Sequence, residues 1–345
     1  MKDVDLVMIG FGNVGRAFAK LLEEKRETFH SQYDLNPRIT GILTKSHGGA
    51  LDPLGIDTQK AIALLEKGED LLSLTATPAP EDGAEFIQMA GAQVLLENTP
   101  VNYSSGQPAI QHIETALSNG LHAITANKGP VVHAYQHLTQ LAAEHQCRFF
   151  FESTVMDGAP IFSLWRSSLP AGKLQSFRGV LNSTTNLILT LMEEGKTFEQ
   201  ALHVAQDIGI AETDPSGDLE GWDAAVKVAA LTIVLMDQRL LPVDIDRAGI
   251  DNITAEDVME ARRNNQRWKL VCEAKRTDQG VTASVKPVKL GPEDALFNVM
   301  GTSSAITFYS DVLGALTVLE EDPGPRTTAY GLLADLLNAI TLPVG

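Results

Sequence analysis

The sequence predicts an α/β fold, a doubly wound parallel sheet joined to a second domain of α+β type. Three observations carry this. VDLVMIG is a continuous apolar run that passes through GFGNVG into the amphipathic RAFAKLLEEK. Strand-like and helix-like segments then alternate to about residue 150. From Lys173 onward the texture changes to longer helices with two later strands, WKLVCEAKR and VTASVKPVKL. The expected division is 1–150, 151–304, and a segment 305–345 that returns to the first domain.

The first strand, glycine turn and helix match the dinucleotide-binding fingerprint of a Rossmann-type sheet. Gly10 makes the tight turn, Gly12 lets the backbone approach a pyrophosphate, and Gly15 allows close packing of helix on strand. Phe11, Asn13 and Val14 complete the turn. The phosphates would rest on the helix N-terminus.

The second strand, RITGILT, ends in Thr44, Lys45, Ser46 and His47, where an NAD site places an acid for the ribose 2′-hydroxyl. No acid stands there. Lys45, with Ser46, His47 and Arg38, instead suits a 2′-phosphate and favours NADP over NAD. An ordinary solvated lysine is the competing reading, because a point charge reads phosphate without geometric selectivity.

QVLLEN, HAITA and RFFFES continue the sheet. The stretches Thr77 to Gly83 and Thr99 to Gly106 read as loops at strand carboxyl ends, where open α/β sheets bind ligands. The last helix, TTAYGLLADLLNAI, has an apolar face that needs a sheet to cover it.

GWDAAVKVAALTIVLM, Gly221 to Met236, reads as a buried helix with Asp223 and Lys227 as its only charges. Four residues apart, they share one helical face. Upstream, AETDPSGDLEG supplies Glu212, Asp214, Asp218 and Glu220 in a turn-rich loop. Burying a charge is costly, so Lys227 has either a structural partner or chemistry to do. Both readings stand on this segment alone.

The chain has 345 residues, 44% of them apolar, enough for two cored domains. Its net charge of −17 argues against nucleic acid or an anionic membrane surface as partner. Cys147 and Cys272 lack metal-like spacing and read as reduced, buried thiols of a cytoplasmic protein. No segment has the length of a membrane span. His133 and His137 read as a helix-surface pair rather than a zinc site.

With GFGNVG, ENTPVN, ITANKGP, ESTVMDGAP, LNSTTNLILTLMEEGKTFEQAL, AQDIGIAETDPSGDLEGWDAAVK and TTAYGLLADLL in order, the chain resembles the homoserine dehydrogenase family over nearly its whole length. The resemblance implies a reversible NAD(P)-linked interconversion of L-homoserine and L-aspartate 4-semialdehyde, with the second domain catalytic and the protein a homodimer through it. Lys227 then matches the catalytic lysine and Asp223 the acid beside it. Lys128 matches a lysine where cofactor and substrate meet, and Glu212 and Asp218 match acids that hold the substrate ammonium. Thr99 lies on the nicotinamide side, and Gly301 lies where the returning segment approaches the cofactor. The carbonyls of Glu152, Val155, Asp157 and Ala159 match a sodium site. Met156 and Asp157 stand where the family has small residues, so an ordinary strand-to-helix turn competes with that reading. Ser183 replaces the commoner glycine and Ile210 the usual tyrosine. The chain begins at the first strand and stops after the last helix, so a form without an appended kinase or C-terminal regulatory domain is expected.

Two other readings stay open. One is a related dehydrogenase acting on another small amino or hydroxy compound. The other is a nucleotide-binding regulatory protein without turnover, since a fold alone does not prove catalysis.

Overall fold

The computed structural model describes residues 1–75 and 79–342. The chain divides into two units, Met1–Pro160 with Gly324–Gly345, and Ile161–Pro323. Of the expected loop from Thr77 to Gly83, residues 77 and 78 lie outside the described residues.

In the first unit a six-stranded sheet runs β3-β2-β1-β4-β5-β6. Its strands are β1 (Lys2–Ile9), β2 (Leu35–Leu43), β3 (Gly49–Leu51), β4 (Val94–Glu97), β5 (His122–Thr125) and β6 (Phe149–Phe150). The pairs are parallel except β2 with β3. That strand is antiparallel because the short turn from Thr44 to Gly48 can only fold the chain back; a parallel crossover needs a dozen or more residues. The order reverses between β1 and β4, the switch point where such sheets bind ligands. Register brings Ile9 beside Leu43 and Glu97, and Glu97 beside Thr125. The loops after β1, β2, β4 and β5 therefore share one edge. The core joins Leu6, Met8, Phe18, Ile42 and Leu96 to Leu332 and Leu336 of the last helix, Pro325–Thr341.

The second unit holds another six-stranded sheet, β12-β11-β7-β9-β10-β8. Its strands are β7 (Leu174–Val180), β8 (Asp246–Arg247), β9 (Arg267–Thr277), β10 (Gly280–Leu290), β11 (Ser304–Ser310) and β12 (Gly314–Glu320). Pairing is antiparallel except β10 with β8. The helices Ser183–Glu193 and Trp222–Met236 pack on it. The expected boundaries at 150 and 304 thus fall at 160 and 323 in the structure. Residues 305–320 do not return to the first sheet. They form a hairpin in the second, joined by a bond of 2.8 Å between the hydroxyls of Thr307 and Thr317, and only the following helix belongs to the first unit. Short, half-exposed strands such as β12 bury too little to impose a clear apolar alternation on the sequence.

Candidate active site

The glycine turn has the geometry its spacing predicts. Gly10 has φ +89°, and a Cβ there would stand 2.5 Å from the Asn98 carbonyl oxygen. Gly15 is crowded by the Gly10 carbonyl at 2.9 Å, so only glycine lets this helix sit on this strand. At Gly12 an added Cβ would meet nothing, which leaves its backbone open to a ligand. The helix Asn13–Glu24 starts there without a side-chain cap, and its first N–H groups can bind a phosphate. Phe11 is buried, Val14 packs on the core, and Asn13 accepts from Arg16 at 2.8 Å.

Lys45 and Ser46 are exposed on the turn after β2. Thr44 fixes that turn: its hydroxyl donates to the Gly48 carbonyl at 3.0 Å and accepts from the His47 N–H at 2.9 Å. Arg38 does not join them. It lies toward the other end of β2 and pairs with Asp5 at 2.7 Å and Asp3 at 3.0 Å. Because a strand rises about 3.3 Å per residue, it points its charge far from the turn.

After β4 and β5 the chain builds one polar network. Asn127 caps the helix Lys128–Glu144 by accepting from the Gly129 N–H at 2.9 Å, and its amide donates to the Thr99 carbonyl at 3.0 Å. Lys128, half-buried, is the first residue of that helix. His133 bonds to the Tyr103 carbonyl and His137 to Glu114.

In the second unit the Lys227 ammonium lies 3.1 Å from Asp223 and donates to the Leu181 carbonyl at 2.6 Å. Asn182 was not foreseen as a site residue. Its amide donates to Asp218 at 2.7 Å and to Asp223 at 3.1 Å, while its oxygen caps the helix Ser183–Glu193 by accepting from the Thr185 N–H at 2.9 Å. The sequence signal was the cap itself, an asparagine before Ser-Thr-Thr; its approach to Asp218 is tertiary. Burial pushes the Asp218 carboxyl up and the Asp223 carboxylate adds to this, against the bonds from Asn182 and Thr184 and the charge of Lys227. Glu212 stands exposed on the same acidic loop, its main-chain carbonyl taking a bond from Gln206. Ile210 holds the Thr184 hydroxyl through its carbonyl, a bond its side chain does not enter.

Gly301, at φ +61°, is clamped from two sides: its N–H donates to Thr190 and its carbonyl accepts from Asn186, each at 3.0 Å. Beneath this loop the fully buried Lys269 donates to Asn186 at 2.8 Å and to the Val299 carbonyl.

The Glu152–Ala159 loop is stitched to the last helix. Asp157, at φ +41°, accepts from the Thr328 hydroxyl at 2.9 Å; Ser153 donates to the Thr328 carbonyl at 2.7 Å, and the Glu152 N–H to Asp335 at 2.8 Å. Val155 and Met156 are buried. Among the described residues no cluster of histidine, cysteine or acidic side chains can hold a metal.

The glycine turn at the switch point of the first sheet is that of a dinucleotide-binding domain, and the second unit carries a lysine paired with a buried acid. Comparison makes the assignment particular. Residues 10–152 match the model of the homoserine dehydrogenase NAD-binding domain, and residues 160–337 match that of homoserine dehydrogenase. Homoserine dehydrogenase of Methanocaldococcus jannaschii is 35% identical, over 97% of this chain and 98% of its own. NAD(+)-dependent homoserine dehydrogenase of Pseudomonas canavaninivorans is 33% identical, over 98% of this chain and 96% of its own. The solved homoserine dehydrogenase of Thermoplasma acidophilum superposes with a TM-score of 0.81 at 25% identity, covering 97% of this chain and 98% of that one. The chain belongs to the homoserine dehydrogenase family: it is an oxidoreductase acting on a CH–OH group with a nicotinamide cofactor.

Proposed function

We propose that this enzyme interconverts L-homoserine and L-aspartate 4-semialdehyde with Lys227 as the acid/base. The observation that carries the assignment is its ammonium, held between Asp223 and the Leu181 carbonyl near a second, half-buried acid, Asp218. The nicotinamide, when bound, supplies the redox chemistry at C4 of the substrate. As the neutral amine Lys227 takes the hydroxyl proton during oxidation, and as the ammonium it gives that proton to the developing alkoxide during reduction. Asp223 orients Lys227. Asp218 and Glu212 bind the substrate ammonium, and Lys128 serves where substrate and cofactor meet. Thr99, Gly301 and the turn Gly10, Phe11, Gly12, Asn13, Val14 and Gly15 hold the cofactor. The paired lysine and acids speak against a non-catalytic regulator.

NADP is the preferred cofactor in this reading, because Lys45 follows the second strand where an acid would select NAD. The carbonyls of Glu152, Val155, Asp157 and Ala159 are hard oxygen donors suited to sodium, and the bonds to the last helix hold that loop independently. A cation there would stiffen the loop rather than enter the reaction. The exposed Val312, Leu313 and Leu319 by the open edge of β12 support a homodimer through the second unit. Free, buried Cys147 and Cys272 suit a cytoplasmic enzyme, and no helix among the described residues is long and apolar enough to cross a membrane.

The direct test is an initial-rate assay with L-homoserine and each cofactor, with and without sodium. Turnover of another amino or hydroxy compound in preference to homoserine would overturn the substrate assignment.

A further inference from the structure

A carboxylate is fully buried directly beneath the ligand edge of the first sheet, and the mechanism above does not use it. Glu97 ends β4 with 0% exposure. No lysine or arginine among the described residues pairs with it; the ionisable group beside it is His112, whose Nδ1 lies 3.5 Å away. An isolated buried carboxylate is costly, so its hydrogen bonds must hold it.

Those bonds run to both ligand-facing loops. One carboxylate oxygen accepts from the Thr99 hydroxyl and from the Thr99 N–H at 3.3 Å. The other accepts from the Thr125 hydroxyl at 3.3 Å, which also reaches the Glu97 carbonyl at 2.8 Å. Thr125 in turn accepts from the Asn127 N–H at 2.9 Å, and Asn127 returns to Thr99 through its amide. The ring closes through Glu97, Thr99, Asn127 and Thr125. Two loops that leave different strands are thereby locked into one body. One carries Thr99, the other the start of the Lys128 helix, and Gly10 abuts the backbone of Asn98 and Thr99.

We propose that Glu97 is the positioning residue of the cofactor site, its carboxylate setting Thr99 and the Asn127–Lys128 turn in the one arrangement that receives the dinucleotide. This rests on the reading that the dinucleotide binds at the switch point. A carboxylate suits the task because one of its oxygens can accept from two Thr99 donors while the other accepts from Thr125, with no donor of its own to oppose them.

The role separates from simple packing by dinucleotide affinity rather than by stability. If Glu97 only fills the core, Glu97→Leu lowers the melting temperature by taking the carboxylate acceptor from the Thr99 and Thr125 donors, and dinucleotide affinity of the folded protein stays as it was. If Glu97 positions the loops, the same substitution also weakens NADP and NAD binding by about tenfold, the worth of roughly one hydrogen bond. Thr125→Val breaks the ring from the other side and gives the same loss. Glu97→Gln, which keeps an acceptor for Thr99, restores affinity to within about threefold. Dissociation constants from quenching of protein fluorescence by NADP and NAD, measured without homoserine, decide it. Affinity within about threefold of the unsubstituted protein in Thr125→Val, or in Glu97→Leu where it folds, overturns the proposal, as does a Glu97→Gln variant no better than Glu97→Leu. An unsubstituted protein that binds neither dinucleotide overturns the switch-point reading itself.

Discussion

Asn182 donates to Asp218 at 2.7 Å through the same amide nitrogen that reaches Asp223 at 3.1 Å. One neutral side chain thus holds two carboxylates that would otherwise repel each other, and Lys227 closes the group at 3.1 Å from Asp223. Removing the amide leaves Asp218 half-buried next to a like charge with one bond fewer to its carboxylate, which disfavours its ionised form. Only the ionised form binds an ammonium. Asn182→Ala is therefore expected to raise the KM for homoserine at pH 7 at least about tenfold, and to move the acid limb of kcat/KM to higher pH. An unshifted limb would show that Asp218 does not bind the substrate amine.

Lys227→Met is expected to lower turnover by about 10²–10⁴-fold, the usual share of proton transfer, with the cofactor constant nearly unchanged. As half of a structural ion pair only, its loss would instead strand Asp223 and cost about 3–5 kcal/mol of stability with less effect on turnover. Melting temperature and turnover of Lys227→Met, alone and with Asp223→Leu, separate the two. Activity that returns with stability in the double variant would sink the catalytic assignment.

Lys45, exposed on the turn after β2, is expected to give NADP the higher affinity, and Lys45→Ala to narrow the gap by about tenfold, near the loss of one charge-assisted hydrogen bond. Equal affinities for NADP and NAD before and after the substitution would remove Lys45 from the site.

Burial brings the Lys269 ammonium down from 10.5 to about 8, with Glu193 opposing and Arg267 assisting. Between those values the unfolded chain holds this proton and the folded one has released it, so the lysine's contribution to stability rises with pH. At pH 7 the charge is present and its burial is a cost. The unfolding free energy of the native protein relative to Lys269→Met should therefore climb from about pH 8 to pH 10, by at most about 1.4 kcal/mol per pH unit. A difference that is flat or falls over this window contradicts the assignment.

The sequence by itself determined the elements that local pattern controls. A strand, three glycines and a helix named the nucleotide turn, because φ at Gly10 and the approach at Gly15 are demands that only glycine meets. A four-residue spacing on an apolar helix determined that Asp223 and Lys227 would meet, since that periodicity is a property of the helix. Tertiary structure decided the rest. Arg38 was a plausible phosphate ligand by position in the sequence, but Asp3 and Asp5 of the neighbouring strand claim it. Residues 305–320 belong to the second unit because strand pairing, which no local pattern encodes, placed β11 beside β7 and β12 beside β11. Asn182 reached Asp218 and Asp223, and Glu97 reached Thr125, across separations of 36, 41 and 28 residues. Such contacts depend on where whole elements come to rest, and a hydrogen bond between distant side chains leaves no periodicity in the chain that makes it.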